Sequence, residues 1–271
     1  MASRSEWRER RSMSGSIADL PEQHREYLRG VYERTKARLD AVVAAHGVKP
    51  GLARAVATER IAILDEEMQP VFAGMAAKAT PVACAKGCAC CCTTTVPVSP
   101  DEIFALVDYL ESSLSADAWA AVQTRARAND ARGHGMASVE RHQLRMFCPV
   151  LDPASGACLG HAARPVACQG YLSLDLARCE ADYADTPRSI PHPAAASMLT
   201  RIVDDTRTDV LGEAGLTTAA LELTAALLAV CDDRTAEARW LGGAEVLDQA
   251  PYIPSRPEDV ARMARERGEE P

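Results

Sequence analysis

The sequence predicts an all-α protein, a helical bundle enclosing an irregular cysteine-rich loop region that would bind metal. Three observations point there. Alanine is abundant while aromatics make up 4 % of the chain and β-branched runs are few, which favours helices over sheets. Apolar residues recur at helical spacing through most of the 271 residues. Nine of the ten cysteines, eight of them candidate ligands, fall in two segments that lack such periodicity.

The elements follow in order. Residues 1–20 are polar and Arg-rich, which predicts a disordered N-terminal arm. From Pro21 to His46, Leu28, Val31, Tyr32, Thr35, Leu39, Val42 and Val43 share one helical face, and Gly47 and Pro50 are stop signals. A second helix over Leu52 to Ala77 turns Val56, Ile61, Leu64 and Met68 inward, with Pro70 expected to kink or split it. Residues 21–80 thus read as a helical hairpin. Thr93 to Val98 reads as a short extended piece that Pro97 confines to an edge. Ser99, Pro100 and Glu102 form an N-terminal signature, a cap, a proline at the first position and a capping-box acid. Ser115 caps the next helix, which carries Trp119, Val122, Arg125, Arg127 and Arg132 and ends at Gly133 to Gly135; another is expected from Ser138 to Met146. Between Cys148 and Pro193 no long periodic run occurs, and a loop of that length needs something to organise it. Helices resume over Ala194 to Leu211, Thr217 to Cys231 and Ala236 to Leu241, with a polar one from Pro257 to Arg267. The expected organisation is therefore an arm (1–20), a hairpin (21–80), a cysteine cluster domain with flanking helices (81–250) and a polar tail (251–271).

The net charge of -8 argues against a nucleic-acid surface, which needs clustered Lys and Arg. The longest apolar run, Leu216 to Cys231, contains Glu222 and falls short of the roughly 20 residues of a membrane span. The opening MASRSEWRERR is charged, without the apolar stretch of a secretory signal, so a reducing cytoplasmic setting is expected. There, clustered thiols more often ligate metal than form disulfides.

In the first cluster Cys84, Cys88 and Cys91 stand at CxxxCxxC spacing, so three sulfurs can converge from a tight loop in which Gly87 supplies backbone freedom. Cys92 points elsewhere and suits a second or bridged centre, and Cys90 is expected to be a spare thiol. Cys148, Cys158, Cys168 and Cys179 supply four more sulfurs, as a tetrathiolate zinc site or a cubane requires. The spacing leaves zinc, an iron–sulfur cluster or one of each open. Lys86, Arg145, Arg164 and Arg178 lie near candidate ligands and could offset thiolate charge. His142 and His161 flank the second cluster, and Cys231, at the end of an apolar helix, reads as a packing residue. CxxxCxxC also occurs in radical SAM enzymes, but the βα alternation of their barrel is missing.

The run CAKGCACCC (Cys84 to Cys92), Cys148-Pro149, Gly156-Ala157-Cys158, Arg164-Pro165 with Cys168, and QGYLSLDLARC ending at Cys179 resemble the YkgJ-type cysteine cluster family. The resemblance is strong over residues 82–180 and looser through Trp240-Leu241-Gly242. It implies a zinc- or iron-chelating domain of the iron–sulfur-cluster-containing group, with chelating cysteines at Cys84, Cys88, Cys91, Cys92, Cys148, Cys158 and Cys168, and a further one at Cys179. Two positions depart from the family pattern: His161 replaces the usual Tyr, and Gln169 replaces an Arg. That family is also similar to the cysteine-rich region of flagellin lysine N-methylase. Two roles follow: a non-enzymatic one (structural, metal-handling or redox-sensing, partner unknown), or a cluster-dependent enzyme such as a protein lysine N-methyltransferase. No Gly-rich turn after a strand, as a SAM pocket would have, is present.

Overall fold

The computed structural model describes residues 20–184 and 190–256, together with positions 258, 261 and 265. The expected N-terminal arm and the Pro257 to Arg267 helix fall outside the described residues, apart from single positions. The fold is all-α. Its helices are α1 (Glu22–His46), α2 (Leu52–Ala77), α3 (Pro100–Ser113), α4 (Ala116–Gly133), α5 (Ser138–Gln143), α6 (Val166–Gly170), α7 (Leu176–Ala184), α8 (Ala194–Glu213), α9 (Leu223–Asp232) and α10 (Ala236–Leu241). Turns of 3-10 helix lie at Cys90–Thr93 and His161–Ala163. The sheet among the described residues is one antiparallel pair, β1 (Pro97–Val98) with β2 (Leu221–Glu222), in the register Pro97 to Glu222 and Val98 to Leu221. No described helix is long and apolar enough to cross a membrane.

α1 buries Leu28, Val31, Thr35 and Leu39 against α2 and α8. Of the expected kink or split at Pro70, the split does not occur: α2 is continuous through Pro70. Pro70 and Glu66, whose carbonyl loses its helical partner to the proline ring, both lie on the exposed side, where water can satisfy that oxygen. The inward face of α2 carries Val56, Leu64 and Met68 as expected, together with buried Arg60 and Ile63, while Ile61 is only half-buried. α3 starts as expected, with the Ser99 amide donating to Glu102 Oε2 at 3.1 Å, and Ser115 Oγ caps α4 by accepting from the Ala118 amide.

Three expectations give way. α5 stops at Gln143 rather than Met146, because Arg145 takes a left-handed conformation (φ 49°) that no helix continues. Thr93 belongs to the 3-10 turn rather than to the extended piece. The helix expected from Thr217 begins only at Leu223: the Glu222 amide donates to Ala250 O and the Leu223 amide to Val96 O. These long-range backbone bonds hold the segment extended, and the Glu222 carboxylate then caps α9 through the Ala225 amide.

One hydrophobic core runs from Leu28 to Ala250. Trp240 is fully buried in it, 5.6 Å from the Phe104 ring, with its indole N–H donated to Thr217 O. Set into this core are buried charges that the hydrophobic pattern does not announce: Arg60, Asp101, Glu102 and Arg207 are each at most 3 % exposed. Arg207 donates to Asp101 Oδ1 (2.6 Å) and Asp204 Oδ1 (2.7 Å), and Arg60 Nη2 lies 3.6 Å from Glu102 Oε1. Burial pushes the Glu102 carboxyl up, against the opposing pull of Arg60 and Arg207.

Replacing one member of a buried pair strands the other, at a cost of about 3–5 kcal/mol. Glu102→Ala should therefore lower unfolding free energy by about that much, and by more than Arg38→Ala, whose ion pairs with Glu59 and Glu66 are solvent-exposed and worth about 1 kcal/mol or less. Urea unfolding of both variants checks the ordering; equal effects would contradict it.

Candidate metal centre

All ten cysteines are free thiols. Nine sit on three converging segments, the eight candidate ligands and Cys90. The first runs from Cys84 through a turn closed by the Cys88 amide on Ala85 O into the 3-10 turn Cys90–Thr93, where the Thr93 and Thr94 hydroxyls donate to the carbonyls of Cys90 and Cys91. The second holds Cys148 and Cys158, folded back so that Leu151 and Cys158 form an antiparallel bridge. The third is not the irregular loop expected. Cys168 lies on α6 and Cys179 on α7, helices too short to leave a clear periodic signal.

Specific contacts bring the segments together. The Cys148 amide donates to Cys92 O at 2.6 Å, and the Ala83 amide to Ser173 O at 2.8 Å. Cys84 Sγ accepts the Ser173 amide at 3.3 Å. Gly87 (φ 89°) and Gly156 (φ 66°) pack backbone to backbone, and a Cβ on Gly156 would stand 2.9 Å from Gly87 O. Here two left-handed glycines let the two loops touch. α7 packs against the Cys90–Thr93 turn.

A second layer fixes these loops to the bundle. Arg60 Nη1 donates to Gln169 Oε1 (3.1 Å) and Nη2 to Arg164 O (3.0 Å), while Gln169 Nε2 donates to Asp65 Oδ1 (2.8 Å). Glu102 Oε1 accepts the Val166 amide at 2.7 Å. α6, and with it Cys168, is thus pinned to α2 and α3. Arg125 of α4 donates twice to Pro149 O, and Asn129 to Phe147 O, on either side of Cys148. Gln169 is therefore a buried partner of a cation supplied from α2. Sequence reasoning missed Arg60 because an arginine on an apolar face looks like a surface residue; the available signal was its position among inward residues of α2.

The remaining candidates fall elsewhere. His161 is exposed, its Nε2 facing Arg164 Nη1 at 3.2 Å. His142 Nε2 lies 3.2 Å from Asp182 Oδ2 and 2.7 Å from Arg145 Nη1. Arg178 pairs with Asp175. Cys231 sits at the end of α9 near Glu111 and Arg234, and burial pushes it to about 11. Arg164 is a nearby cation that favours a thiolate at Cys158, and Arg141 does so at Cys148.

The clustered thiols titrate high. Burial pushes Cys148 up to about 12 and Cys168 well above the ordinary value, the latter aided by Cys148, Cys158 and Cys91. Burial followed by Cys88 takes Cys90 to about 11, and Cys91 is raised first by its interaction with the Cys92 thiol. Without a cation these groups stay protonated. Among the described residues no three thiol, imidazole or carboxylate groups are arranged to hold a metal ion. The donor set nevertheless fits a soft or borderline metal: sulfur donors from three segments, close enough to perturb one another. Comparison with protein families, curated proteins and solved structures finds no match to this chain.

In metal-free protein at pH 8, alkylation of Cys148 should be on the order of a hundredfold slower than that of an ordinary thiol, its small thiolate fraction outweighing greater nucleophilicity. The rate should rise about tenfold per pH unit until pH about 12. Mass-spectrometric mapping of alkylation checks this, and a rate flat above pH 9 would contradict it.

Proposed function

We propose that this protein binds an iron–sulfur cluster or zinc on Cys84, Cys88, Cys91, Cys92, Cys148, Cys158, Cys168 and Cys179, as the YkgJ-type family it resembles is expected to do. The observation that carries this reading is the meeting of three thiol-bearing segments through contacts that owe nothing to a metal: Cys92 O with the Cys148 amide, Cys84 Sγ with the Ser173 amide, and Gly87 against Gly156. Disulfide formation would be an alternative use of such thiols. All ten being free fits a reducing compartment such as the cytoplasm instead.

The residues divide the work. The cysteines would supply soft negative donors, and bound metal would replace their protons and remove the cost that keeps them neutral. Arg60, Gln169 and Glu102 hold the Cys168 helix in place, and Arg125 and Asn129 hold the chain around Cys148. Because ligation displaces protons from thiols that titrate high, affinity should fall as pH falls. Cysteines that are exposed or half-buried, Cys84 and Cys88 among them, leave the centre within reach of solvent, which suits metal transfer or electron exchange.

The test is the metal and acid-labile sulfide content of protein purified without oxygen. A brown protein with about four iron and four sulfide per chain identifies a cubane, and a colourless one with one or two zinc a thiolate zinc site. Cys158→Ser and Cys168→Ser should each release metal and increase protease cleavage between Cys148 and Pro193. Metal content unchanged in both variants would refute the reading.

A further inference from the structure

No Asp or Glu occurs between Glu67 and Asp101, nor between Asp152 and Asp175, although the chain holds 38 acidic residues against 30 basic ones. These two acid-free stretches contain Cys84 to Cys92, Cys158 and Cys168. Gly87 and Gly156 join them, packed backbone to backbone. Lys86 precedes Gly87, at the tip of the turn that the Cys88 amide closes on Ala85 O. Arg164 follows the 3-10 turn His161–Ala163, and Arg60 Nη2 fixes its carbonyl at 3.0 Å. Its Nη1 donates to His161 Nε2 at 3.2 Å, which leaves the His161 Nδ1 as an N–H donor. Lys86 and His161 are exposed and Arg164 is half-buried, and among the described residues none of the three forms an ion pair. Burial first, then Arg164, lowers the His161 pKa against the pull of Asp65, and Lys86 adds to the lowering. Asp65 itself already accepts Gln169 Nε2 at 2.8 Å.

We infer that Lys86, His161 and Arg164 form a docking site for a small anionic complex whose metal is held by carboxylates, beside the thiols that receive that metal. The inference rests on the proposed metal-binding reading and names the form in which metal arrives. All three side chains present N–H donors with no acceptor left free, which suits carboxylate oxygens. A cationic, acid-free patch in a chain of net charge -8 draws an anionic complex to this place and raises its association rate. Transfer is ligand exchange without redox change. Metal–carboxylate bonds break, metal–thiolate bonds form, and the proton of each ligating thiol passes to the freed carboxylate or to solvent.

Two measurements on the reduced, metal-free full chain test this. In the first, citrate is titrated while NMR follows the His161 ring signals, assigned with His161→Gln. Saturable shifts should appear in the wild type, and Lys86→Gln should weaken the binding about fivefold. Absence of citrate shifts overturns the inference, and a response to a hexaglutamate peptide alone reassigns the patch to an acidic protein partner. In the second, cadmium–thiolate absorption follows uptake from cadmium citrate and from the aqua ion. Lys86→Gln should slow uptake from the citrate complex about fivefold at low salt, and Lys86→Glu more, while neither slows uptake from the aqua ion. Equal slowing from both donors would make Lys86 a stabiliser of thiolates and overturn the docking role, leaving the metal-binding reading in place. A wild type that binds citrate but takes up cadmium from neither donor overturns the metal-binding reading, and the transfer role with it.

Discussion

A guanidinium with no exposure must find acceptors inside the protein or cost several kcal/mol, and Arg60 finds them on elements that would otherwise be independent. Its Nη2 faces Glu102 at the start of α3 and donates to Arg164 O just before α6, while Nη1 reaches Gln169 within α6. Glu102 divides its two oxygens between the Ser99 amide, which caps α3, and the Val166 amide, which begins α6. One ion pair therefore joins the hairpin, the central helix and the cysteine-bearing segment. None of the three can shift without leaving a buried charge or amide unmet.

The rest of the polar interior extends the same arrangement. Asp101 sits beside Glu102 in the first turn of α3, where carboxylates are favoured by the helix dipole, and binds Arg207 of α8. Arg125 and Asn129 of α4 close on carbonyls around Cys148, and Arg141 of α5 reaches Glu222 and Thr224 at the start of α9. The Pro-, Gly- and Cys-rich segment closes short-range backbone bonds of its own, and side chains from three helices, α2, α3 and α4, tie it to the bundle. The long loop is organised from outside, by buried Arg60 and Glu102 and half-buried Arg125 and Asn129, before any ligand is considered.

That division explains what could be read in advance. α1, α3, α4 and α10 were legible because apolar period, capping residues and stop signals agreed: Ser99 with Glu102, and Ser115 with the helix it starts. β2 was not, because Thr217 to Cys231 has helical composition and only the bonds to Ala250 and Val96 hold its first part extended. α6 and α7 were hidden by their length, five and nine residues. Of the first cysteine segment the CxxxCxxC spacing was legible, but the 3-10 turn at Cys90–Thr93 was not, because it forms through Cys92 N to Ala89 O and the threonine hydroxyls. Nor does hydropathy reveal Arg60, whose burial depends on a partner 42 positions away at Glu102.

The core also bears on what a metal would do here. Small zinc domains fold only with their metal because ligation supplies most of their folding free energy. This chain buries Leu28 through Ala250 in one apolar cluster and anchors its cysteine loops through Arg60, Glu102 and Arg125, so the metal-free fold has its own support. Thiols held at about 11 and about 12 by burial remain neutral in that state and add little repulsion. On the proposed reading, loaded and metal-free forms are then both folded and differ chiefly in sulfur protonation, which is the condition under which a centre can gain and release metal without unfolding the protein that carries it.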